Sequence, residues 1–132
     1  MRMAKKSNEM ELLFKALADR TRLRLLNLMG AGEVCVCFFV EVLGMNQPKI
    51  SRHLAYLRRA GVVASRREGK WMHYRIATPE DLRAAQVFSE VMTWLREDRE
   101  MQKDLARLQN FCCAPRLPVR LQGAPRPAHV PT

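Results

Sequence analysis

No apolar run approaches the roughly 20 residues needed to span a bilayer, and the N-terminal MRMAKKSNEM has no signal-peptide core. A cytosolic protein without a membrane segment is expected. Acids are scarce, with 13 Asp and Glu against 23 Lys and Arg, so the formal net charge is +10. Histidine is rarer, three in 132 residues and none from 79 to 111. There is no Gly-rich phosphate loop and no acid/base dyad. Four cysteines in a reducing compartment do not make a disulfide framework, which leaves metal binding, redox sensing or burial. The length suits one domain with a modest core.

What is abundant is positive charge, and it is concentrated. From Lys49 to Arg75 there are eight basic residues and one acid, Glu68. That density favours a polyanionic partner, most simply nucleic acid, over a merely solvated face.

The apolar positions divide the chain into elements. Met10, Leu13, Phe14 and Leu17 mark an amphipathic helix. Asp19 is placed to cap a second, with Leu23, Leu26 and Met29 on its buried side. A third helix is predicted over about 34–43, stopping at Gly44, and a fourth after Asn46, with Pro48 in its first turn. Helix, short Gly-containing turn and helix outline a helix-turn-helix. In QPKISRHLAYLRRAG, Ile50, Leu54 and Leu57 face the core while Lys49, Arg52, Tyr56 and Arg59 point away. Ser51 and His53 lie on the flanks.

VVASRREGKWMHYRI reads as a hairpin turning at Glu68-Gly69-Lys70, a wing with Arg66, Arg67 and Lys70 at its tip. Its second strand is expected to bury Met72, Tyr74 and Ile76 and to expose Trp71, His73 and Arg75, with Trp71 packing on the hairpin. A long helical stretch follows, whose apolar stripe changes phase after REDRE and predicts either a bend near 96–100 or a change of packing partner. Its apolar surface exceeds what so small a domain covers, which predicts a dimer. Residues 114–132 hold five of the seven prolines and no acid. They are expected to be a disordered basic tail after a domain of residues 1–113. The expected fold is mainly α with a small β-hairpin, in the order α-α-α-α-β-β-α.

ALADRTRLRLLNLM, EVCVCFFVEVLG and QPKISRHLAYLRRAGVVASRREGKWMHYRI, in this order, resemble the ArsR/SmtB family of winged-helix, metal-responsive repressors over about residues 9–78. The resemblance implies a homodimer through terminal helices, a palindromic double-stranded DNA operator, a fourth helix in the major groove and a wing on the backbone or minor groove. No resident cofactor is implied. Gln47 has the chemistry to read an adenine edge, and Lys49 or Arg52 to reach guanine or phosphate. Ser51 and His53 are candidate phosphate contacts, with half-buried packing the other reading of His53. Tyr56 lies on the outward face, and Arg59, Arg66, Arg67 and Lys70 should add sequence-independent affinity.

In the arsenic-sensing branch the motif resembling EVCVCFFV supplies thiolates, so the resemblance implies As(III) or Sb(III) as inducer, held by Cys35 and Cys37. Residues i and i+2 of an α-helix point about 200° apart. If both cysteines are helical, binding must therefore unwind the start of the third helix and disturb the recognition helix braced on it. Where the fullest pattern has a third cysteine this chain has Val40, and Phe38 and Phe39 replace the more usual acidic-apolar pair. Cys112 and Cys113 are the remaining candidate ligands, together with the first pair or as a second site. Zinc or cadmium sensing, redox sensing and a constitutive DNA binder are the other readings. A thiol enzyme of the phosphatase type would need an arginine six positions after a cysteine, where this chain has Glu41, Leu43, Pro118 and Val119.

Overall fold

The computed structural model describes residues 2–114 and 116–127, with side chains from residue 9 onward except that of Cys113. The elements are α1 (Arg2–Leu17), α2 (Arg20–Met29), β1 (Val34–Cys35), α3 (Val36–Leu43), α4 (Gln47–Arg59), β2 (Val63–Glu68), β3 (Trp71–Ile76), α5 (Leu82–Leu95) and α6 (Arg99–Cys113), then a 3-10 turn at Val119–Leu121. Local chemistry sets most boundaries. Asp19 Oδ2 accepts the Arg22 amide at 3.0 Å to start α2, and Asn46 Oδ1 accepts the Lys49 amide at 3.0 Å to start α4. Gly44, at φ +66°, ends α3 in a left-handed conformation that a side chain would disfavour, making the sharp turn into α4.

The core lies between α2, α3 and α4, where Leu25, Leu26, Leu28, Phe38, Phe39, Val42, Ile50, Leu54 and Leu57 are fully buried. Phe38 and Phe39, unexplained by their motif, are core residues. Phe38 also meets Phe111 of α6 at a ring-centroid distance of 5.8 Å. Truncating either buried ring would cost about 3–5 kcal/mol.

The expected bend is a true break at residues 96–98: Asp98 caps α6 by accepting the Met101 amide at 3.2 Å. The phase change then lets α6 return onto α2. Arg24 Nε and Nη2 bond the buried carboxylate of Asp104 at 2.7 and 3.0 Å, and Asn27 donates to the Met101 carbonyl at 2.8 Å.

Three expectations are corrected. The third helix does not begin at residue 34. Val34 and Cys35 form a short strand pairing with Tyr74 and His73, so the sheet has three antiparallel strands in the order β1-β3-β2. Two β-favouring residues beside an unpaired edge gain ladder bonds there that a helix start would leave unmade. Second, His73 is buried and Met72, Tyr74 and Ile76 only half-buried, because β1 lies alongside β3 and sets Cys35 opposite His73. Third, the supposed disordered tail has structure over its described part. Leu117, Leu121 and Ala124 are buried, the turn packs on α3, and Arg120 pairs with Glu41 at 3.2 Å. Residues 128–132 lie outside the described part.

Candidate nucleic-acid interface and thiol site

The exposed side of α4 is as expected for Gln47, Lys49, Arg52 and Arg59, while Ser51 is half-buried. At the wing, Arg67 and Lys70 are exposed, and the Lys70 ammonium lies 4.9 Å from the centre of the half-buried Trp71 ring. Three predicted contacts are otherwise engaged. Arg66 is clamped by Glu33, its Nε and Nη2 donating to the carboxylate at 2.7–2.9 Å, and this pairing holds the Glu33 carboxyl below its usual range. Tyr56 does not point away: it is half-buried, with Arg22 4.3 Å and Arg59 5.1 Å from its ring centre. His53 is half-buried as well, its Nδ1 3.4 Å from Arg22 Nη1 and 3.8 Å from Asp19 Oδ2. Burial lowers its pKa, which favours the neutral ring able to accept from Arg22. His53 is thus packed against Arg22 and the Asp19 cap.

Arg22 is a functional candidate that the sequence reading missed. Its one sequence signal is its place three residues after the capping Asp19.

The thiols converge. Cys35 is the N-cap of α3, with extended backbone at φ −71° and ψ 140°, so it escapes the helical divergence expected of residues i and i+2. The Cys37 Sγ lies 3.3 Å from the Cys35 Sγ. Two thiolates each about 2.3 Å from one ion, at a right angle about it, stand about 3.3 Å apart. The geometry already fits two ligands of a single soft ion. The hydrogen bond donated by Cys37 draws the Cys35 thiol down to about 6 against its burial, and the same bond with burial pushes Cys37 well up. Cys35 is only 1% exposed, so access runs past the half-buried Cys37.

Cys112 is half-buried at the end of α6, beside the Phe111 that docks on α3. The Cys113 side chain lies outside the described part. Cys35, Cys37 and Cys112 form no disulfide, and among the described residues no three Cys, His, Asp or Glu side chains gather as metal ligands. A tetrahedral zinc site would need more donors than the described residues assemble here.

A helix-turn-helix followed by a basic hairpin defines a winged-helix DNA-binding domain, and comparisons with solved structures agree. The homodimeric winged helix-turn-helix DNA-binding domain of a possible ArsR-family regulator from Mycobacterium bovis aligns with a TM-score of 0.58 at 32% identity, over 74% of this chain and 92% of that one. HlyU from Vibrio cholerae aligns with a TM-score of 0.57 at 28% identity, over 68% and 95%. Residues 19–65 match the bacterial regulatory proteins of the arsR family. The chain is 42% identical over 103 residues to the arsenical resistance operon repressor of Escherichia coli, covering 77% of this chain and 86% of the relative. It is 52% identical over 66 residues to an arsenic resistance transcriptional regulator of Pseudomonas putida, covering 49% of this chain and 52% of that protein. The chain belongs to the arsR family of bacterial transcriptional regulators, and its relatives are regulators rather than enzymes.

Proposed function

We propose that this regulator represses transcription by binding a palindromic operator as a homodimer and releases it when Cys35 and Cys37 take trivalent arsenic or antimony. The 3.3 Å approach of the two sulfurs carries this reading. Relatives named for arsenic resistance support it. In it, Gln47, Lys49 and Arg52 face bases and the neighbouring phosphates, Ser51 a phosphate, and Arg59, Arg67 and Lys70 the backbone. Met10 and Phe14 of α1, with Val87 and Trp94 of α5, are exposed apolar residues suited to a second copy.

The route of release differs from the one expected of a helical pair, because the thiols need no unwinding to meet. Cys35 belongs to β1, a strand of the wing sheet, and Cys37 to α3, which braces α4. An ion with its remaining substituents does not fit beside a fully buried sulfur unless β1 and the start of α3 part. That displacement reaches the wing through β3 and the Glu33–Arg66 clamp, and the recognition helix through α3. Ligand and operator then oppose each other by linkage. Cys112 and Cys113 supply a third sulfur or a second site.

Gel shifts of the native promoter with arsenite and antimonite test this. Cys35→Ser and Cys37→Ser should each keep operator binding and lose release; release of either variant at the wild-type arsenite concentration would rule out this site. A double serine variant at Cys112 and Cys113 should weaken or redirect the ligand response.

A further inference from the structure

We propose that Arg22 is the positioning residue that fixes the recognition helix α4 at a set angle to α1, and thereby sets the spacing of the two half-sites in the operator. The proposal rests on the reading of α4 as the DNA-reading helix and α1 as part of the dimer contact.

Arg22 touches three helices at once. It sits in the first turns of α2, where its own amide donates to the Asp19 cap at 3.0 Å. Its Nε donates to the Ala16 carbonyl and its Nη2 to the Lys15 carbonyl, both at 2.8 Å. These are carbonyls of the last turn of α1, which have no i+4 amide within the helix and carry the negative end of its dipole, the Lys15 oxygen also accepting the Ala18 amide at 3.3 Å. The third contact is with α4: the guanidinium carbon stacks 4.3 Å from the centre of the Tyr56 ring, and Nη1 lies 3.4 Å from His53 Nδ1. One planar, half-buried cation therefore closes the end of α1 with its edge and holds α4 with its face.

No shorter-range bond does this. The described hydrogen bonds include none made directly between α1 and α4, and the side chain spanning them belongs to α2. A fork and a flat face are both required, so lysine is a poor substitute: its compact ammonium has donors but no planar fork that can meet the α1 carbonyls with its edge while lying flat on the Tyr56 ring. In a symmetric dimer joined through α1, a small rotation of α4 on α1 is doubled between the two recognition helices. Half-site separation is a geometric consequence of that rotation.

The test uses the full chain on duplexes selected from random DNA, then rebuilt with the spacer between half-sites one base pair longer and shorter. Wild type should show one preferred spacing. For Arg22→Lys that preference should fall by about tenfold, comparable to one lost base contact. Binding to random duplex should stay unchanged. Tyr56→Leu, which leaves both bonds to α1 in place, should broaden spacing in the same way, and Tyr56→Phe, which keeps the ring, should restore it. Thermal melts and dimer mass identify variants that fold as wild type. A folded Arg22→Lys or Tyr56→Leu with the wild-type spacing ratio, or an equal loss at all spacings, overturns the proposal alone. A wild-type chain with no spacing preference overturns the underlying dimer reading and this proposal with it.

Discussion

Cys35 and His73 face each other across the β1–β3 ladder, so a candidate metalloid ligand and a buried wing residue occupy one rung of one sheet. On the far side of His73 the next rung position is Arg66, which is tied back to Glu33, two residues before Cys35. The thiol site and the wing are therefore parts of a single small structure. Any movement of one sulfur is felt by the strands that carry the basic tip.

The clamp predicts a measurable separation of affinity from response. Glu33→Gln frees Arg66 to meet phosphate, so binding to non-specific duplex should tighten and its salt dependence should steepen by about one contact per protomer. Release by arsenite should become less complete, since one link between β1 and the wing is cut. Filter binding over a salt series, with and without arsenite, measures both effects; an unchanged salt slope would mean that Arg66 never reaches DNA.

The sulfur pair predicts an early thiolate. With Cys35 drawn down to about 6, thiolate ultraviolet absorbance should grow as pH rises through that value, well below the ordinary thiol range. Cys37→Ala removes the donor to Cys35, so the transition should move upward. Cys35→Ser should abolish the low-pH step altogether. An absorbance change that begins only in the ordinary thiol range would show that the two sulfurs do not share a proton as the 3.3 Å contact implies.

Base reading and backbone attraction should come apart. Arg52→Ala should abolish specific operator binding, whereas Lys70→Ala should weaken all sequences alike, as expected for exposed side chains on the recognition helix and at the wing tip. Competition between operator and random duplex distinguishes the two behaviours.

The return of α6 onto α2 depends on a buried ion pair. Asp104→Ala leaves Arg24 without its principal partner in a poorly solvated position, where its side chain is 17% exposed, and should cost about 3–5 kcal/mol in urea unfolding. Arg20→Ala, which removes a more exposed set of bonds to Asp98 and Glu100, should cost much less, because solvent screens those pairs.

The helix-turn-helix and the wing could be read from the chain because their signals are local. Asn46 caps a helix three residues away, Ile50, Leu54 and Leu57 recur at helical spacing, and Gly69 sits at the hairpin tip at φ +58°. The break before α6 could be read for the same reason, as a change in apolar phase. The inward turn of His73 could not: alternation indicates two faces but not which one a distant strand will cover. Nor did the tail announce itself, because burial of Leu121 needs α3 as a partner about 80 residues earlier.

The amino-acid sequence by itself determined a basic reading helix, a charged hairpin and two paired thiols, since spacing, capping and charge act within a few residues. Only the tertiary structure decided that Cys35 is a strand residue with its sulfur beside Cys37, that Glu33 holds Arg66, and that Arg22 joins three helices. Each of these depends on partners brought together by the packed core, whose positions no local periodicity specifies.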